Sequence, residues 1–117
     1  MYDISGTDIK EGYTLSEHIA LTESTYYILL SLYQPLHGYG IMQRAAELSG
    51  GRVRLAAGTL YGALNALVDK GWITLLPVEG RKKEYCLTPR GREVLKNELA
   101  RLRELVASGD MVMKEEA

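Results

Sequence analysis

The chain has 117 residues, 46% of them hydrophobic, so it is long enough for one domain and too apolar to be disordered. No apolar run approaches the roughly 20 residues that a membrane-spanning helix needs, and Met1-Tyr2-Asp3 does not begin a signal peptide. The single cysteine, Cys86, excludes an intrachain disulfide, which is typical of a cytoplasmic protein. We therefore expect a cytoplasmic location and no membrane partner.

The formal net charge of −1 conceals an uneven distribution. Residues 1–51 carry two basic and six acidic side chains, a net charge of −4. Residues 52–92 carry eight basic and three acidic side chains (+5), and residues 93–117 carry four and six (−2). We therefore expect the middle of the chain to bind a polyanion, with the acidic flanks facing away from it.

The N-terminal part of the chain predicts an arm and a short helix. Residues 1–12 contain two glycines and four charged side chains, and we interpret them as a flexible arm. Residues 13–20 can form a short helix that uses Leu15 and Ile19 as its apolar side chains.

Two further helices and a strand are predicted next. Thr22 is a typical N-cap for a helix over 23–33, where apolar side chains recur at helical spacing. Pro35 ends that helix, and a second one runs to Gly50-Gly51. The alternation of charged and apolar residues over 52–55 then predicts a short strand.

A helix is predicted over 58–70, with Gly71 as its C′ residue. Leucines at positions 60, 64 and 67 form, with the valine at 68, an apolar stripe that packs on a core. The opposite face carries only small or short polar groups, where a solvated helix usually has long charged ones. Such a face can approach another surface closely, and the major groove of B-DNA admits one helix. We expect DNA contacts from Gly58, Thr59, Tyr61, Gly62 and Asn65.

A β-hairpin is predicted after this helix, from strands over 73–78 and 84–87. Its tip, Glu79-Gly80-Arg81-Lys82-Lys83, offers a glycine for a positive φ and three consecutive cations. The cations repel one another, whereas phosphates would neutralise them with release of counterions. A solvated turn is the alternative, but beside a bare helix face we expect Arg81, Lys82 and Lys83 to contact DNA.

A long final helix is predicted from Thr88-Pro89 to Ser108-Gly109, followed by a frayed tail over 110–117. Its apolar seam exceeds what one small domain buries, which favours a homodimer. The alternative is that the seam packs on the helix over 23–33 of the same chain. We assign to the dimer interface Leu15, Ile19, Leu95, Leu99, Leu102, Leu105 and Val106.

These elements in order predict an α+β, mostly helical fold. It is a winged helix-turn-helix over 13–88, with an N-terminal helix and a C-terminal dimerisation helix over 89–109.

Several motifs, spread over about residues 22–107, closely resemble the PadR family of transcriptional regulators. They are His37-Gly38-Tyr39, Gly58-Thr59-Leu60-Tyr61, Gly71-Trp72-Ile73 and the basic wing that begins at Gly80-Arg81. Gly40 departs from the pattern, since the family has an acidic residue there. The resemblance implies a homodimeric repressor of the short C-terminal type that binds an inverted-repeat operator in double-stranded DNA. In the family an effector, phenolic in some members and a hydrophobic drug in others, can relieve repression.

Several aromatic and polar side chains allow two interpretations. Tyr61 contacts DNA or lies at the margin of the core, and Asn65 contacts DNA or makes no contact. Tyr39 contacts a phosphate or packs internally, since the helix it begins crosses the DNA backbone in this motif. Trp72 belongs to the core or to the wall of a ligand site. The chain has eight tyrosines and no phenylalanine, which indicates an aromatic-ligand pocket or a core that uses tyrosine instead.

Other functional classes have little support. His18, His37 and Cys86 are not arranged for nucleophilic catalysis, and the sequence has no paired-carboxylate motif and no phosphate-binding glycine loop. We therefore predict no catalytic residue, no metal site and no cofactor. The alternative to a DNA-binding regulator is a winged helix that binds other proteins, whose binding added salt would not weaken steeply.

Overall fold

A computed structural model describes residues 20–77, 80 and 83–116 of the chain. The predicted arm over 1–12, and the short helix with Leu15 and Ile19, lie outside the described residues, apart from Ala20. Arg81 and Lys82 at the predicted wing tip also lie outside them.

The described residues form a winged helix-turn-helix, as predicted. Helices α2 (Gly38–Leu48) and α3 (Ala57–Lys70) form the helix-turn-helix, and an antiparallel two-stranded sheet forms the wing. The helices predicted over 23–33 and 58–70 begin and end within about two residues of those bounds. The elements in order are α1 (Glu23–Ser31), α2 (Gly38–Leu48), α3 (Ala57–Lys70), β1 (Ile73–Leu76), β2 (Glu84–Leu87) and α4 (Pro89–Lys114).

The core lies where α1, α2, α3 and the beginning of α4 meet the sheet. The inner stripe of α3, formed by Leu60, Leu64 and Leu67, is buried as predicted. Each buried leucine contributes roughly 1.5–3 kcal/mol of hydrophobic stabilisation. Trp72 is buried in the same cluster, so it is a core residue rather than the wall of a ligand site.

The prediction of a strand over 52–55 is wrong, because this segment has no regular structure. The N–H of Val53 donates to Ser49 Oγ at 2.9 Å and is therefore not free for a sheet. Leu36, rather than residues 52–55, pairs with the edge of β2 that faces away from β1. Its N–H donates to the carbonyl of Tyr85 at 3.1 Å, and the N–H of Tyr85 donates back at 2.9 Å.

The first strand of the wing is shorter than predicted. It ends at Leu76, paired with Glu84, whereas the sequence suggested a strand to residue 78. Pro77 follows, and its ring fixes φ at about −65°, far from the value of about −140° that antiparallel strands prefer. Gly80 has a φ of 89°, which confirms the predicted use of glycine in the wing tip.

Helix α4 is longer than predicted. It continues to Lys114, so the predicted end at Ser108-Gly109 and the frayed tail from residue 110 are wrong. Glycine ends a helix by adopting a positive φ, but Gly109 is not among the glycines that do so. Inside a helix it costs only about 1 kcal/mol relative to alanine, which the good helix formers around it, such as Met111, offset.

A compact corner joins the end of α3 to the start of α4. Thr88 Oγ1 donates to the carbonyl of Gly71 at 2.6 Å and accepts from the N–H of Gly91 at 3.0 Å. The N–H of Thr88 donates to the carbonyl of Trp72 at 3.0 Å. An ideal Cβ on Gly91 would lie 2.9 Å from the carbonyl carbon of Trp72, so only glycine lets α4 begin this close.

Across the described part of the chain, no helix combines the length and the apolar character that crossing a membrane requires.

Candidate nucleic-acid interface

The outer face of α3 is bare, and nothing inside the domain explains why. Gly58, Thr59, Gly62 and Asn65 are all exposed. An ideal Cβ at Gly58 or Gly62 would meet no atom within 4 Å, and neither residue has a positive φ. Each glycine nevertheless costs the helix about 0.8–1 kcal/mol relative to alanine. The glycines therefore suit the close approach of a surface from outside the domain.

The helix-turn-helix carries two exposed tyrosines, Tyr39 on α2 and Tyr61 on α3. Tyr39 is 61% exposed and Tyr61 is 47% exposed, so neither is a core residue. An ideal Cβ on Gly38 would lie 2.7 Å from Tyr61 Cζ, so the Tyr61 ring lies against the start of α2. The fold thus packs Tyr61 of α3 on Gly38 of α2.

A third tyrosine lies near Tyr61. Tyr85 of β2 is buried, and burial raises the pKa of its hydroxyl, with a further contribution from Tyr61. The Tyr85 hydroxyl therefore stays neutral to a higher pH than a free tyrosine does.

The helix-turn-helix differs from the flanking helices at its N-termini. Thr22 Oγ1 caps α1 by accepting from the N–H of Thr25 at 3.2 Å, and Thr88 caps α4 in the same way. The N-cap residues of helices α2 and α3 are His37 and Ala56, and neither forms a side-chain cap. Free N–H groups at a helix start attract anions. The signal in the sequence was the alanine at the cap position of α3, which the sequence analysis overlooked.

Two cations in the middle of the chain interact with other residues of the same domain. Arg52 forms an ion pair with Glu23 at the start of α1. Lys70 lies over Trp72, with its Nζ 5.2 Å from the ring centroid. These two cations stabilise the domain and are less available to a polyanion.

Other cations of this segment are exposed. Arg54, Lys83 and Arg90 form no salt bridge with any residue that the structure describes. Arg54 lies three residues before α3, and its guanidinium lies near Gly51 in the turn between α2 and α3. Because Arg54 falls within the strand predicted over 52–55, it is not among the predicted site residues. Lys83 is the described cation of the wing tip.

The outer face of α4 carries a second exposed apolar surface. Leu95 does not belong to it: this residue is 3% exposed and lies in the core of its own chain, so its assignment to the dimer interface is wrong. Leu99, Leu105 and Val106 are exposed further along the helix. Leu99 and Val106 line a groove of about 370 Å³, and Leu105 lies outside it. The lining residues are Leu99, Leu102, Arg103, Val106, Ala107 and Asp110.

The chain is similar to known regulators over most of the fold. The family model described as "Transcriptional regulator PadR-like family" matches residues 27–97. An uncharacterized 37.1 kDa protein in transposon TN4556 of Streptomyces fradiae is 47% identical over 64 residues. That match covers 55% of this chain and only 18% of the Streptomyces protein.

Solved structures show the same fold. The complex structure hsRosR-S1, of RosR from H. salinarum, is 28% identical with a TM-score of 0.65, covering 88% of this chain and 90% of that one. Bacillus subtilis PadR in complex with operator DNA is 32% identical with a TM-score of 0.56, covering 64% of this chain and 45% of that one. Because the family model spans more than half of the sequence, this chain belongs to the PadR-like family of transcriptional regulators.

Proposed function

We propose that the protein is a homodimeric repressor that binds an inverted-repeat operator and is released by a small aromatic or hydrophobic effector. The observation that carries the DNA-binding part is the bare outer face of α3, where Gly58 and Gly62 have no internal role. Bacillus subtilis PadR, whose structure is similar, was solved with operator DNA.

In this proposal α3 enters the major groove. Thr59 and Asn65 hydrogen-bond to bases or phosphates, because both are exposed and carry short polar groups. Tyr39 and Tyr61 contact the phosphate backbone from α2 and α3, where both side chains are exposed. The uncapped starts of α2 and α3 offer N–H groups to the same backbone.

The wing supplies affinity with little sequence information. Lys83 is exposed, and Arg81 and Lys82 precede it in the sequence. Three neighbouring cations release counterions when they contact phosphate or line the minor groove. Arg54 adds a fourth cation near the start of α3.

The dimer in this proposal forms through the outer face of α4. Leu99, Leu102 and Val106 border a groove that is open in one chain and would be covered by a second copy. Leu105 lies beside them, and Leu15 and Ile19 extend the interface. A two-fold axis through this surface sets the recognition helices about 34 Å apart, which is one turn of DNA.

The effector site in this proposal is the same groove. Its volume of about 370 Å³ lies at the lower end of the range for ligand sites, and its lining is mostly apolar. A small hydrophobic or phenolic molecule between two α4 helices would change their packing and so the distance between the recognition helices.

Selection of bound sequences from random double-stranded DNA tests the proposed function. Wild-type protein should recover an inverted repeat with half-site centres about 10–10.5 base pairs, or a multiple, apart. Gly62→Glu should lose this binding and keep its fold, because the new side chain meets only solvent and faces the phosphates. Ala100→Glu is the matched control, since it adds the same charge at an exposed position of α4. A folded Gly62→Glu variant that recovers the same repeat would show that another face meets DNA.

A further inference from the structure

A single stripe of α3 combines two glycines with one amide side chain. Gly58, Gly62, Asn65 and Asp69 follow one another at i, i+4, i+7 and i+11, and all four are exposed. Along this stripe Asn65 is the first residue whose side chain can hydrogen-bond to a base.

The glycines and the asparagine suit each other physically. Asparagine carries its amide on one methylene group, so it reaches a base edge only if the helix backbone lies close to the groove floor. Gly62 and Gly58, one and two turns earlier, leave open space where a side chain would hold the helix away. The backbone approach that the glycines permit is therefore the approach that this short side chain needs.

The same helix lacks the usual means of recognising guanine. Arginine or lysine paired with guanine O6 and N7 is the commonest specific contact in the major groove. Between Ala57 and Asp69, α3 contains neither residue, and Lys70 lies over the ring of Trp72. Asp69 lies in the last turn, and its carboxylate only accepts hydrogen bonds, so it cannot pair with guanine O6 or N7, which are also acceptors.

Asparagine has one favoured partner among the bases. Its Oδ1 can accept from adenine N6–H while its Nδ2 donates to adenine N7, and no other base offers this pair of groups in the major groove. The methyl groups of Thr59 and Ala66, both exposed on the same side of α3, suit the thymine methyl of a neighbouring pair.

We propose that Asn65 reads an adenine by this two-bond contact, and that the A·T pair is a specificity-determining position in each half-site. This inference rests on the proposed function, since it requires α3 to lie in the major groove.

Binding to the selected operator and to its single-base-pair variants tests the inference. For the wild type, replacing the A·T pair with G·C at one symmetric position should weaken binding about 5- to 150-fold. Asn65→Ala should lose this discrimination at that position alone, and the salt dependence should stay unchanged because no phosphate contact is removed. Asn65→Arg should shift the preference at the same position to guanine. Asn97→Ala on α4 is the matched control and should leave every preference unchanged.

Two results would overturn the inference. One is an Asn65→Ala variant that binds with the base preferences of the wild type at every position. The other is a loss of preference at a position where the wild type selects G·C. A wild-type protein that selects no sequence at all would instead overturn the proposed function.

Discussion

Two glycines in the first turns of helices, Gly91 in α4 and Gly58 in α3, have very different surroundings. An ideal Cβ at Gly91 would lie 2.9 Å from the carbonyl carbon of Trp72 and 3.1 Å from Leu87 Cδ2. At Gly58 it would meet nothing within 4 Å. Packing therefore requires glycine at position 91. Gly58 lowers the stability of the helix without any packing reason, and the proposed DNA binding explains its presence.

Alanine at each position should separate these two roles. Gly91→Ala should destabilise the domain by about 1–3 kcal/mol, because a backbone carbonyl cannot easily move away from the new methyl group. Gly58→Ala should stabilise it by about 0.5–1 kcal/mol through higher helix propensity, and should weaken operator binding. Denaturant unfolding at one protein concentration and titration with operator DNA measure the two effects. Unchanged operator affinity in a stabilised Gly58→Ala variant would exclude close approach at this turn.

Among the elements, α4 and the segment before α1 are joined by a buried carboxylate. Glu98 is only 4% exposed. Arg101 donates to its two oxygens at 2.8 Å each, and the N–H of Leu21 donates to Oε2 at 3.1 Å. The hydrogen bonds from Arg101 lower the pKa of Glu98 and outweigh burial, which acts in the opposite direction. Glu98 is therefore ionised near neutral pH and fixes the segment that leads into α1.

Glu98→Gln should remove a pH-dependent part of the stability. Because the pKa of Glu98 is lower in the folded than in the unfolded chain, the ionised form stabilises the fold above the unfolded value of 4.5. This contribution is lost as the pH falls through the folded pKa. The variant should be less stable than the wild type by about 1–3 kcal/mol at pH 7. Urea unfolding at neutral and acidic pH should show this difference shrinking on acidification, and a constant difference would contradict the assignment.

The wing should act through charge. Replacing Arg81, Lys82 and Lys83 with alanine should weaken binding to the operator and to random DNA alike. It should also reduce the slope of log affinity against log salt by about 2–3. Lys96→Ala, which removes an exposed cation of α4, is the control and should leave the slope unchanged. An unchanged slope in the triple variant would mean that the tip remains in solvent.

The sequence predicted those elements whose signals are local and repeated. The leucine period of α3 indicated both its buried and its bare face, and Thr22 and Thr88 marked two helix starts. The prediction of a strand over 52–55 was wrong because the alternation of four residues does not show that the N–H of Val53 donates to the side chain of Ser49. The packing of Tyr61 on Gly38 depends on how α2 crosses α3, which no local sequence pattern reveals.

For the whole molecule, we expect the exposed outer face of α4 to determine the oligomeric state. Wild-type protein should be a dimer at micromolar concentration in light scattering. Leu99→Glu combined with Leu102→Glu should give a monomer, because two new charges would be buried at the interface. Ala100→Glu, on the same helix outside the groove, should remain a dimer.

Two outcomes would count against this assembly. A monomeric wild type would exclude the dimer, and a double variant that remains dimeric would place the interface elsewhere.

The corner at Thr88 would let the spacing of the operator half-sites and the recognised bases change independently during evolution. It fixes the end of α3 to the start of α4 through the carbonyls of Gly71 and Trp72, with no room for a side chain at Gly91. In the proposed dimer, the crossing of two α4 helices therefore determines the number of base pairs between half-sites, while α3 determines which bases are recognised. Substitutions on the outer face of α4 would change the spacing alone, and those on the outer face of α3 the bases alone.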